Sequence, residues 1–312
     1  MQRKRNAWWI VAQIAIAALV VWFAWRTLAP DWPAVVDAFR TVSFKPGPLA
    51  LSILGVLVSY AILIETWRRV VSSWGSHLSP GVAARIWFVS NLGRYLPGKV
   101  WAITAMGTMA HRAGVSPAAA VGSSLLIAVI NVVAAFAVVL LTVPDALPIG
   151  RAGAIAIGTA LVATALAPRF IPGVAGWIGA RFGRTVTWPT LPQSTIIVAY
   201  AGCALAWVIY GLAFHALSIA TLGTAGGAPR YSIAVFVASY IAGYVFLPAP
   251  GGLGVREAWL GALLKKFGMT AVAGAALLVV VSRVWLTILE LLPGLILLAF
   301  DSKRTAPHAP DV

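Results

Sequence analysis

Two short clusters hold the residues of this chain best suited to chemistry. The first, Asn91-Leu92-Gly93-Arg94-Tyr95-Leu96-Pro97-Gly98-Lys99-Val100-Trp101, sets two cations about a Pro-Gly step inside an otherwise apolar stretch. An arginine at the centre of a bilayer costs about 2.5–3.5 kcal/mol on insertion scales, so Arg94 and Lys99 need a partner, a wet cavity or a shallow depth. One reading has both cations bind an anionic head group, with Gly98 letting a half-helix N-terminus turn free N–H groups toward phosphate. The other has them snorkel to the membrane surface. The second cluster, Pro248 to Glu257, places Pro250, Gly251, Gly252 and Gly254 beside Arg256 and Glu257. Its glycines allow a sharp turn and close backbone approach to a ligand, and Arg256 is available for phosphate. The alternative is that Arg256 and Glu257 merely cap a helix near the surface. Sequence neighbours on a helix do not face each other, so Glu257 is expected to pair with a different arginine.

Three further charged residues fall within apolar runs. Arg283 and Glu290, seven apart, share one helical face, and Glu65 lies beside Arg68 and Arg69. They are candidates for buried ion pairs, structural or part of a proton relay. Gly93 to Lys99 also matches most of a nucleotide-binding P-loop, but Val100 stands where a magnesium-binding hydroxyl is required, so the match is accidental. His77, His111, His215 and His308 show no ligand spacing, and Cys203 stands alone, so no metal or cofactor is expected. Without a nucleophile elbow or an evident acid–base pair, no motif supports enzyme activity.

The elements that must position these residues follow from composition. Of 312 residues, 61% are hydrophobic and 10% charged, against roughly 45–50% and 25% in a soluble domain. Runs of about 20 apolar residues, the length of a membrane span, recur along the chain. The expectation is an all-α integral membrane protein, with residues 1–300 forming one polytopic domain and residues 301–312 a short polar tail. Spans are expected near Trp8–Trp25, Leu49–Trp67, Pro117–Val143, Arg151–Ala167, Thr195–Leu222 and Tyr231–Phe246. The stretch Ala271–Phe300 forms one kinked span or a hairpin turning at Pro293-Gly294. With broken, re-entrant segments at Gly81–Met109 and from Leu247 to Lys265-Lys266, this makes seven or eight spans. The net charge of +15 is read as the positive-inside bias of a membrane protein, not as nucleic-acid binding. If both broken segments enter and leave on one side, the lysine and arginine tally puts the N-terminus in the cytoplasm. Both segments join Pro-Gly to a basic residue and a Trp about half a chain apart. Matching breaks in two halves are the sequence pointer to a transporter-type site within an internal pseudo-repeat, although a match this short also arises by chance.

The motifs NLGRYLPGKVW (Asn91 to Trp101) and PAPGGLGVRE (Pro248 to Glu257), with Arg283 in the last apolar stretch, resemble the paired signatures of the lysylphosphatidylglycerol synthase transmembrane family. The resemblance extends over nearly the whole chain. It implies a flippase-like protein of the cell membrane that handles an anionic phospholipid, a glycolipid or another lipid, without the soluble aminoacyl transferase domain of the best-known relatives. Membrane lipids are the partners it implies. Other family members stand beside glycosyltransferases, so a glycosyltransferase or lipid synthase partner is a second reading, and a lipid-modifying membrane enzyme using Glu257 or Glu290 as base is a third.

Overall fold

The computed structural model describes residues 42–95, 100–146, 150–181, 191–246 and 250–302, together with Val36 and Arg40. The expected first span, Trp8–Trp25, the N-terminal basic cluster and the tail beyond Ser302 lie outside these residues. Among the described residues every regular element is helical: α1 (Pro46–Ser72), α2 (Pro80–Asn91), α3 (Val100–Arg112), α4 (Pro117–Thr142), α5 (Gly150–Arg181), α6 (Gln193–Leu222), α7 (Pro229–Val245), α8 (Val255–Lys266) and α9 (Val272–Ser302). Short 3₁₀ turns at Leu92–Tyr95 and Pro250–Gly252 interrupt the chain between α2 and α3 and between α7 and α8.

Local sequence sets the helix starts. Pro46, Pro80, Pro117 and Pro229 each occupy a first-turn position, where a missing N–H costs nothing and the fixed φ favours the helix. Ser79 and Ser116 cap α2 and α4 by accepting from the amides of Val82 and Ala119. Gly223, with φ 81°, closes α6 in the left-handed conformation.

Helix α1 lies antiparallel against α6. The amide of Lys45 donates to the carbonyl of Ala220 at one end, Ser59 Oγ donates to the carbonyl of Ala206 at 3.2 Å in the middle, and Ser73 and Thr195 share a 2.8 Å hydrogen bond at the other end. Small residues make the close approach: a Cβ on Gly55 would meet Ala213, and one on Gly202 would meet Thr66. This small-residue seam is how apolar helices associate when no hydrophobic difference separates them from lipid.

Because the two long helices run oppositely, the broken segments that follow them enter from opposite faces. Helix α2 leaves the face where α1 ends. The chain returns to that face through α3, since Trp67 near the end of α1 donates to Ser123 near the start of α4. Helix α7 leaves the other face and α8 returns there, placing Met269 against Gly226 and Leu222 against Gly274. Each broken hairpin leans on the long helix of the other half, α2 on α9 and α7 on α4, and the two breaks touch. The order α1-α2-break-α3-α4 is thus repeated, inverted, as α6-α7-break-α8-α9, with α5 outside the repeat.

Two sequence expectations change, and two others are narrowed. Both broken segments were expected to share one face; they do not, so Arg112 and Lys265-Lys266 fall on opposite faces and the tally behind the N-terminal orientation loses its premise. Of the seven or eight spans expected, four helices among the described residues are long and apolar enough to cross a membrane, namely α1, α4, α6 and the Val272–Leu298 part of α9; the expected first span lies outside these residues. Helix α7 has 17 residues and belongs to a hairpin, and among the described residues of α5 Ala152–Ala163 is an apolar stretch shorter than a span. Helix α5 runs past Ala167, where the Arg151–Ala167 span is expected to end, as far as Arg181, because a proline removes one intrahelical bond without necessarily ending the helix. Of the two alternatives for Ala271–Phe300, the single span is the one found: α9 runs unbroken through Pro293, and Pro293-Gly294 makes no hairpin. Gly294 lies against Leu92 and the Phe88 carbonyl, where a Cβ would come within 3.0 Å of each.

Candidate functional site

The breaks meet at a cavity of about 150 Å³ bounded by α1, α2, α3, α4, α6, α7, α8 and α9. A water needs about 10–15 Å³ by this measure, so the space admits several waters or one small polar group. Its walls are apolar and aromatic, with Tyr60, Trp207, Tyr210 and Tyr240 prominent. Asn91, Arg94, Arg256, Arg283 and Glu290 bring charge and polarity to it.

Arg94 comes from the 3₁₀ turn of the first break. Its Nη1 donates to Glu290 at 2.6 Å and to the Tyr240 hydroxyl at 2.7 Å, and its Nη2 donates to Asn91 Oδ1 at 3.0 Å. The Arg94–Glu290 pair therefore ties one break to the long helix of the other half. Tyr240 is the hub, since its hydroxyl also reaches Glu290 at 3.3 Å and its ring lies 4.9 Å from the Arg256 guanidinium.

The second break is held by its own half. Gly251, Gly252 and Gly254 have φ of 58°, 70° and 79°, a left-handed run that side chains disfavour. The carbonyl of Gly251 accepts from Arg283 Nη1 at 3.0 Å. Glu257 Oε2 accepts from the amide of Gly254 at 2.6 Å, closing the start of α8. Its Oε1 lies 3.2 Å from Arg283 Nη1, but the geometry is a charge contact rather than an aligned hydrogen bond.

Arg256 differs from the other two arginines. It is 5% exposed, lies over the rings of Phe236 and Tyr240, and has no carboxylate partner among the described residues. Its Nη2 makes no hydrogen bond. A buried donor left unmade costs about 1–3 kcal/mol, more when charged. The position is enforced by close backbone approach: Gly243 of α7 faces Gly252, and a Cβ on Gly243 would sit 2.9 Å from Arg256 Cβ.

The sequence candidates thus divide. Asn91, Arg94, Gly251, Gly252, Arg256, Arg283 and Glu290 line one cavity, with Gly254 and Glu257 immediately behind it. Tyr95 and Pro250 lie in the two 3₁₀ turns, and their side chains fall outside the described set. Pro97, Gly98 and Lys99 also lie outside it. Glu65 sits apart, engaged by Arg68 at 2.7 Å and Arg69 at 2.8 Å. Arg283 and Glu290 do not pair with each other; they divide between the two breaks. Sequence reasoning passed over Tyr60, Asn131, Trp207, Tyr210 and Tyr240. A usable signal existed for Asn131, the lone amide within the 26-residue apolar α4, whose Oδ1 is buried without a partner.

The chain matches no family model and no curated protein. Its own geometry therefore carries the functional reading.

Proposed function

We propose that this protein moves lipids across a cell membrane, binding the head group in the central cavity while the acyl chains stay against the apolar outer helices. One observation carries the reading: two inverted halves send broken hairpins inward from opposite faces, and the breaks meet at an aromatic-walled cavity that holds Arg94, Arg256, Arg283 and Glu290. Broken backbone at membrane depth persists only where it is buried in protein or lines a cavity. Placing it where two inverted repeats meet suits a site reached from each side in turn. The proposal agrees with the resemblance of both signatures to the lysylphosphatidylglycerol synthase transmembrane family. The outward surface suits lipid contact: Leu51, Leu54, Ile197, Leu205, Val284, Ile288, Leu292 and Leu295 are all exposed apolar side chains on long helices.

The test is leaflet exchange in liposomes containing the purified protein, using fluorescent anionic and zwitterionic lipids. Exchange well above protein-free vesicles, lost in Arg94→Ala and Arg256→Ala variants that still fold, is the expected result. Absence of exchange for every lipid tried would overturn it.

A further inference from the structure

We infer that a groove on the outer side of α1, α6 and α9 seats one acyl chain of an anionic lipid, whose phosphate rests at Lys45. The groove holds about 300 Å³, twice the central cavity, and shares no lining residue with it. Leu217, Val281 and Trp285 form a buried floor, and Phe44, Val284 and Ile288 an exposed rim. None of the described residues lining it is charged, and their one polar side-chain atom, Trp285 Nε1, is buried. Lys45 follows Phe44 of the rim and is exposed at the start of α1, where its Nζ donates to the Gly223 carbonyl at 3.4 Å. A lysine carries three donors, so this bond leaves it able to bind an anion.

Shape decides the occupant. An apolar cavity of about 150 Å³ takes up benzene, so twice that volume suits a slender hydrocarbon chain. A helix 10–12 Å across fills roughly 400–600 Å³ in each 5.4 Å turn, so less than one turn of a helix fits. Between lipid and an apolar protein surface no hydrophobic difference drives association, and contact quality decides. A chain that follows the groove makes contacts that a helix bridging the rim would miss. Charge decides the head group: a cation where the apolar groove meets the membrane surface complements a phosphate, with the tail below it. The groove is a separate site, because Trp285 walls it off from the centre. The Trp285 ring meets Phe236 edge-on at 6.3 Å, and Phe236 lies 5.2 Å from the Arg256 guanidinium.

The probe is phosphatidylglycerol brominated at mid-chain, present at increasing mole fraction in nanodiscs of phosphatidylcholine that hold the full chain. Bromine quenches tryptophan on contact, and subtracting the Trp285→Phe protein, or Trp285→Tyr if that does not fold, isolates Trp285. One lysine near the membrane surface favours an anionic lipid about fivefold. Half of the Trp285 quenching is therefore expected at roughly one-sixth brominated phosphatidylglycerol, against one-half for an unselective surface. Lys45→Gln should move that midpoint to about one-half without lowering the final quenching. Val284→Phe and Ile288→Phe, at exposed rim positions, should fill the groove and remove Trp285 quenching while the other tryptophans are quenched as before.

A wild-type midpoint at an equal mixture overturns the inference, and so does a preference that survives Lys45→Gln. Trp285 left unquenched at every composition, or quenched as in the wild type in both rim variants, overturns the acyl chain as the occupant. The inference needs the membrane but not transport. Absent leaflet exchange leaves it standing, and an unselective Trp285 leaves the transport reading standing.

Discussion

The Arg94–Glu290 pair should behave as a buried salt bridge between the two halves, and a double-mutant cycle measures it. The contact is 2.6 Å, and the side chains are 26% and 8% exposed, so solvent screening is limited, most of all at Glu290. Removing one member of such a pair costs about 3–5 kcal/mol because the other is left buried and unpaired. At roughly 2 °C per kcal/mol for a chain of this size, Arg94→Gln and Glu290→Gln should each lower the unfolding midpoint by roughly 6–10 °C. The second change should be the more damaging, since a stranded carboxylate can take up a proton and a stranded guanidinium cannot lose one. The double variant should fall well short of the summed losses, with a coupling energy of about 2–3 kcal/mol. Thermal unfolding of the four proteins in one detergent, followed by loss of helical circular dichroism, gives the numbers. Coupling near 0.6 kcal/mol, the average for an ordinary hydrogen bond between membrane helices, would refute the argument and leave Arg94 positioned by Tyr240 and Asn91.

Two other outcomes test the fold and the second break. Cys203 is fully buried, so in a Cys203→Ala background single cysteines at His77 and Ala113 should react with an impermeant reagent from one membrane face. Thr224 and Gly268 positions should react from the other; labelling of all four from one face would refute the inverted arrangement. Gly243→Ala should cost about 1–3 kcal/mol through overpacking and displace Arg256, lowering the midpoint and weakening lipid binding together. A wild-type midpoint and affinity would show that α7 and the second break need not touch.

Much of the helical plan is legible in the residues. Apolar runs located α1, α4, α6, α7 and α9 to within a few residues, because span length and hydrophobicity are local properties. The two breaks were visible for the same reason: Pro, Gly and charge within an apolar run have few explanations. The pairing of charges was not legible. Glu290 and Arg283 share a helical face, but their partners are far along the chain, and periodicity along one helix says nothing about which neighbour packs on it. The aromatic walls escaped notice because a tyrosine within an apolar helix looks like any other core residue until the opposing helices are placed.

Composition and local pattern by themselves determined an all-helical chain rich in membrane-length apolar segments, with two interruptions that must be buried or wet. Tertiary structure alone decided that α1 and α6 run antiparallel along a small-residue seam, and every non-local feature follows from that. Antiparallel helices send the two hairpins in from opposite faces, bring the breaks together, and leave Arg256 beside two committed ion pairs. The charges that meet at a buried site come from residues distant in sequence, and only the fold chooses which ones meet.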